Sequence, residues 1–117
     1  MILAVVDDLF FLSKIQETAK HLGVEVKSAQ PADLPEAAHA TVPAVFLVDL
    51  NHRSGKALEV LRALKSDSKT KHLAVIGFVS HVQNELIAAA REAGCDLVLA
   101  RSAFVSQLPS ILRRYST

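Results

Sequence analysis

The sequence predicts a three-layer, doubly wound α/β domain that takes in all of residues 1–117. Three observations carry that prediction. Fully apolar runs, such as ILAVV at 2–6 and the body of PAVFLVDL at 43–50, have the composition of strands covered on both faces. Segments whose apolar residues recur at helical spacing alternate with those runs, an order that requires parallel pairing with helices on both sides of the sheet. Carboxylates stand at the ends of two of the runs, and in such sheets ligands sit beyond the carboxyl ends of the strands.

The elements follow in order. Strand one is read at 2–6. Leu12, Ile15, Ala19 and Leu22 then repeat at helical spacing, and Gly23 supplies a C-terminal stop. A second, more exposed strand alternates over 24–28, and 31–40 reads as a short helix with Pro31 at its first turn. The third strand is PAVFLVDL, ending in Asp49. Ala57, Leu58, Leu61 and Leu64 mark the next helix. Residues 73–79 form a fourth strand, 82–93 a helix closed by Gly94, and 97–100 a fifth strand. A last helix is expected from about residue 106 to 115, which puts Pro109 in the first turn, where proline is tolerated. Five strands thus alternate with five helices, without linker, repeat or low-complexity segment.

Composition narrows the function classes. Thirteen basic and twelve acidic residues leave a formal charge of +1, which gives no electrostatic reason to expect nucleic acid or an anionic membrane as partner. No apolar run approaches the roughly 18 residues needed to cross a bilayer, so a soluble chain is expected. The start Met1-Ile2-Leu3 carries no basic leader or cleavage site, so the expected location is cytoplasmic. The single cysteine, Cys95, cannot form an internal disulfide and has no CxxC companion, which leaves it a small core residue.

The informative polar residues fall at strand ends: Asp7 and Asp8 after strand one, Asp49 after strand three, Ser80 after strand four and Arg101 after strand five. Three carboxylates converging on one point repel unless a hard divalent cation sits among them, and oxygen ligands suit Mg²⁺. A hydroxyl and a guanidinium opposite would receive an anion. The pattern is that of a carboxylate, cation and phosphoryl site. Glycine-rich strand-to-helix loops, which a nucleotide or flavin domain uses to cradle phosphates, are missing from the sequence. An acyl-phosphate hydrolase would need a second carboxylate two residues beyond the nucleophile, where this chain has Asn51.

On these residues the chain resembles, over nearly its whole length, the receiver domain of two-component response regulators. VVDD is similar to the family's acidic pair, FLVDL to its phospho-accepting strand, FVSH to its Ser/Thr strand end, and AGCDLVLAR to the segment with its basic residue. The resemblance implies a flavodoxin-like strand order 2-1-3-4-5. It also implies phosphoryl transfer to Asp49 from a histidine kinase or a phosphotransfer protein, with no enzymatic activity beyond gain and loss of that group. Mg²⁺ would be held by Asp7, Asp8 and Asp49, directly or through water, and by the backbone carbonyl of Asn51. Ser80 would hydrogen-bond the phosphoryl group and Arg101 would stand in for the family's lysine. With no output domain in the sequence, a change of affinity for a downstream protein is expected. The family's usual face, formed by the fourth helix, fifth strand and fifth helix, here around 82–93 and 104–115, would serve such a partner or a homodimer.

The chain also departs from the pattern. Arg101 replaces Lys and Ser102 the usual Pro; the planar guanidinium keeps the charge but is bulkier than an ammonium. The loop NHRSG after Asp49 is two residues shorter than is common, with Gly55 alone and no Pro. Val98 stands where an aromatic residue often acts as a rotameric switch. His81 replaces a small residue, where it would narrow access to Asp49 or add charge near it. Phe10 and Phe11 cannot both face the core from adjacent helical positions, so one is expected at the rim. Simpler roles stand beside these. Asp8 alone would cap the first helix, Ser80 the helix after strand four, and Arg101 would pair with Asp7 or Asp49 without metal. The alternative function is accordingly a phosphorylation-independent pseudo-receiver, a protein interaction module.

Overall fold

The computed structural model describes residues 1–116. Its elements are β1 (Ile2–Val5), α1 (Leu9–Leu22), β2 (Val26–Ser28), a 3₁₀ turn (Pro31–Asp33), α2 (Glu36–Thr41), β3 (Val45–Asp49), α3 (Ala57–Ser66), β4 (Ala74–Val79), α4 (Asn84–Glu92), β5 (Leu97–Ala100) and α5 (Arg101–Arg114). The five strands form one parallel sheet in the order β2-β1-β3-β4-β5, as expected. Among the described residues no helix is long and apolar enough to cross a membrane.

Period-two alternation divides the apolar strands between two cores. Ile2, Ala4, Val45, Leu47, Ile76 and Phe78 face α1 and α5, whereas Leu3, Val5, Phe46, Val48, Val75 and Val79 face α2, α3 and α4. The central strands are therefore buried along almost their whole length, while edge strand β2 exposes Lys27 and Ser28. Gly77 permits one close approach: a Cβ there would lie 3.0 Å from Cys95 Sγ and from Leu50 Cγ and Cδ1. Cys95 is buried in that second core, and burial raises its thiol pKa.

Several elements depart from the sequence expectation by two residues or more, and β2, which begins at Val26 rather than 24, is the simplest case. Helix α5 begins at Arg101, five residues early, so Pro109 sits in its interior rather than its first turn. Proline there removes one backbone donor, but Phe104 and Leu108 before it and Ile111 and Leu112 beyond or beside it all pack into the first core. Tertiary burial outweighs the local penalty. The segment at 31–40 is not one helix: Pro35 forces Leu34 into extended backbone and splits it into the 3₁₀ turn and α2. Helix α4 starts at Asn84, and Val82 lies in the preceding loop with its side chain exposed.

Phe11, Phe78 and Phe104 form an aromatic cluster in the first core, with Phe78 and Phe104 stacked at 4.6 Å and Phe11 5.0 Å from Phe78. Phe104 is fully buried. Phe104→Ala is expected to cost about 3–5 kcal/mol of unfolding free energy, measurable as a shift of the urea midpoint with an unchanged slope.

Candidate functional site

The chain crosses from one side of β1 to the other between β2 and β3, so β1 and β3 flank the switch point of the sheet. Asp7 and Asp8 follow β1 and Asp49 ends β3, which places them at that point: Asp7 is the first polar residue after one buried run, with Asp8 next to it, and Asp49 closes the other. Ser80 follows β4 and Arg101 follows β5 as the first residue of α5. The loops after β1, β3, β4 and β5 thus meet at one end of the sheet.

Asp49 is 4% exposed, and its Oδ1 accepts the Asn51 N–H at 2.9 Å. Burial raises its pKa above the ordinary 3.8; the Asn51 hydrogen bond opposes the rise, the Asp7 charge adds to it, and Arg101 and His52 act against it from a distance. Among the described residues no cation lies within ion-pair distance of Asp49. Asp7 Oδ2 accepts the Arg53 N–H at 3.2 Å and lies 3.6 Å from Arg53 Nε. The Arg53 side chain is almost wholly exposed, so that pair chiefly orients the loop.

Asp8 does two things. Its Oδ1 accepts the Phe11 N–H at 3.1 Å, capping α1, and its Oδ2 accepts from Arg101 Nη2 at 3.2 Å. The Phe11 hydrogen bond first, and Arg101 after it, hold its pKa below 3.8 against the opposing effect of burial. Arg101 lies with its guanidinium carbon 4.1 Å over the Phe11 ring, an arrangement the planar guanidinium suits well. Its Nε is buried without a partner among the described residues. The basic residue is therefore drawn to Asp8 and Phe11 and not to Asp7 or Asp49. Among the described residues no group of three or more His, Cys, Asp or Glu side chains is gathered to hold a metal ion. The donors that fit a divalent cation are Asp7 and Asp49, two neighbouring acids whose mutual repulsion a cation would relieve.

The structure also brings in side chains to which sequence reasoning gave no role. Asn51 Oδ1 accepts the Ser80 N–H at 2.8 Å, and its Nδ2 donates to Gln83 Oε1 at 2.7 Å, joining the β3–α3 and β4–α4 loops. His52 is 6% exposed; its Nδ1 lies 2.8 Å from Ser54 Oγ and 3.2 Å from the Ser54 backbone nitrogen, and its buried Nε2 has no partner among the described residues. Nothing in the local sequence distinguishes these residues, since the partners of Asn51 are about thirty positions away. Ser80 and His81 are exposed beside the site. Phe10, at 92% exposure, is the outward member of the phenylalanine pair, next to exposed Leu9 on the first turn of α1.

No family model matches the chain, and no curated protein sequence does. Solved structures do. The phosphorylated cyanobacterial phytochrome response regulator RcpA is 25% identical over 97% of this chain and 88% of its own, with a TM-score of 0.77. The Vibrio cholerae chemotaxis protein CheY4 is 20% identical over 97% of this chain and 96% of its own, at 0.84. The Mn²⁺-bound response regulator Rcp1 is 18% identical over 94% of this chain and 89% of its own, at 0.74. The chain has the fold of a response regulator receiver domain, which in general serves as a phosphoryl-accepting signalling module.

Two outcomes follow from the electrostatics. Asp8→Ala lowers the melting temperature because cap and ion pair are both lost, whereas Asp8→Asn keeps the cap and falls much less. The folded pKa of Asp8 is depressed, so its stabilisation is present above pH 3.8 and disappears as pH falls through the lower folded value. Asp49 has the opposite sign: the stability is full below 3.8 and is lost as pH rises through the raised folded value. In buffer without divalent cations, Asp49→Asn is therefore expected to raise the melting temperature at neutral pH, with the gain vanishing in acid. Calorimetry across pH measures both.

Proposed function

We propose that this chain is a signal receiver that accepts a phosphoryl group on Asp49 from a histidine kinase or a phosphotransfer protein. The observation that carries the reading is Asp49 itself, a buried carboxylate at the sheet's switch point whose pKa is raised and which no cation among the described residues neutralises. Because Arg101 is occupied with Asp8 and Phe11, the Asp49 oxygens are not tied up in an ion pair.

In the transfer, an Asp49 carboxylate oxygen forms the new O–P bond as the P–N bond of a donor phosphohistidine breaks. The electron pair returns to the imidazole, which leaves neutral when its other nitrogen already holds a proton. The Asn51 N–H, already on Asp49 Oδ1, orients the carboxylate. Asp7, Asp49 and the backbone carbonyl of Asn51 would hold Mg²⁺, with Asp8 reached through water. That ion, when bound, supplies positive charge to the transferring oxygens. The Mn²⁺ in Rcp1 supports a divalent cation in this fold. The Ser80 hydroxyl would hydrogen-bond the phosphoryl group, and Arg101 would add a fixed positive charge. Output would be a changed affinity for a downstream protein, or for a second copy, at the face of α4, β5 and α5, where Val82 and Leu97 are exposed. A cytoplasmic setting fits such a relay.

The Arg101–Asp8 pair favours a second reading, the pseudo-receiver, in which the fold binds partners without phosphoryl chemistry. Incubation with acetyl phosphate and Mg²⁺, followed by mass spectrometry of the intact chain, separates the two. The receiver gains one phosphoryl group that hydroxylamine removes, and Asp49→Asn gains none. Wild-type protein that stays unmodified at saturating donor and Mg²⁺ is a pseudo-receiver.

A further inference from the structure

We propose that the Asn51 side chain is a positioning element that carries the charge state of Asp49 to the first turn of α4. The proposal rests on the phospho-acceptor reading and assigns that site its route of regulation.

Three hydrogen bonds define the route. The Asn51 N–H donates to Asp49 Oδ1 at 2.9 Å, its Oδ1 accepts the Ser80 N–H at 2.8 Å, and its Nδ2 donates to Gln83 Oε1 at 2.7 Å. The amide has only one consistent orientation: a backbone N–H can only donate, so the atom facing Ser80 is the oxygen and the nitrogen is left for Gln83. Gln83 is the N-cap of α4, immediately before Asn84. Its carbonyl accepts the Ile87 N–H at 2.9 Å, closing the first helical turn, and its side chain caps no α4 donor, being committed to Asn51. One residue therefore touches the reacting carboxylate through its backbone and the start of a helix through its side chain.

This arrangement has two discrete states. With Asp49 unmodified, the Ser80 N–H is satisfied by a neutral amide oxygen. A phosphoryl group on Asp49 brings anionic oxygens to the same loops, and charge-assisted hydrogen bonds are roughly twice as strong as neutral ones. The phosphoryl oxygen therefore takes the Ser80 N–H and displaces Asn51 Oδ1. The anionic oxygens repel Oδ1 and attract the Nδ2–H donor, so the freed amide turns toward the phosphoryl group and gives up Gln83 Oε1. The first turn of α4 is released from the β3–α3 loop. Since β5 offers only Val98 at the position of an aromatic switch, this loop-to-loop connection supplies a route that does not require a ring to move.

The test follows amide NMR shifts of the full chain on addition of beryllofluoride with Mg²⁺. In wild type, shifts are expected at Asn51 and Ser80 and onward at Glu85, Leu86 and Ile87. In Gln83→Ala the shift at Ser80 should persist while those at Glu85 to Ile87 are lost; Asn51→Ala should lose them as well. Gln83→Met, which keeps side-chain length without the amide, guards against a loop merely loosened by truncation. Retention of the α4 shifts in both Gln83 variants overturns the proposal. If wild type shows no response to beryllofluoride, the phospho-acceptor reading falls, and Asp49→Asn becomes the perturbation. Its α4 shifts should then be present in the wild-type background and lost with Gln83→Ala. Their persistence there overturns the Asn51 route independently.

Discussion

The arrangement of this molecule depends on burying one carboxylate at the end of a strand that is covered on both faces. β3 is apolar from Val45 to Val48 because α1 and α5 press on one side of the sheet and α2, α3 and α4 on the other. Asp49 ends that strand with almost no exposure. A buried charge of this kind must be hydrogen-bonded, neutralised or protonated. The Asn51 N–H supplies one bond, and the remaining cost appears as the raised pKa. The neighbouring loops are organised around a carboxylate that would accept a further cation or electrophile.

The positive charge at the site is held slightly apart by the first core. Phe11 packs at a tilt against Phe78 and Phe104, and the Arg101 guanidinium lies over its ring and reaches Asp8. A lysine would have no planar group to lay on that ring. Asp8, capping α1 with one oxygen and holding Arg101 with the other, fastens the start of the first helix to the start of the last. Arg101 is thus matched by an aromatic residue beside it, and its pairing with Asp8 leaves Asp7 and Asp49 without that cation.

Stability and geometry come from different parts of the chain. The two apolar cores and the aromatic cluster supply the free energy that tolerates Pro109 inside α5. The polar contacts at the carboxyl ends of the strands are few, and several are partly exposed, so they add little net stability but fix which loops touch. Asn51, hydrogen-bonded to Asp49, Ser80 and Gln83, ties the end of β3 to the β4–α4 loop without belonging to either core.

The sequence by itself determined the layered α/β architecture, the division of the chain into strands and helices, and the positions of Asp7, Asp8, Asp49, Ser80 and Arg101 at strand ends. These are consequences of local periodicity: buried strands are apolar throughout, and the first polar residue after each one stands at the edge of the sheet. It also carried the cap on α1, because an aspartate directly before an apolar helical stripe has a local donor to meet. Tertiary structure alone decided which carboxylate takes Arg101, separated from Asp8 by more than ninety positions, and that Asn51 meets Ser80 and Gln83 across two loops. It also decided that α5 begins at Arg101 in spite of Pro109, since packing of Phe104 against Phe78 outweighs a local rule. Pairings of this kind depend on how the sheet twists its loops together, and that is a property of the assembled layers rather than of any short stretch of residues.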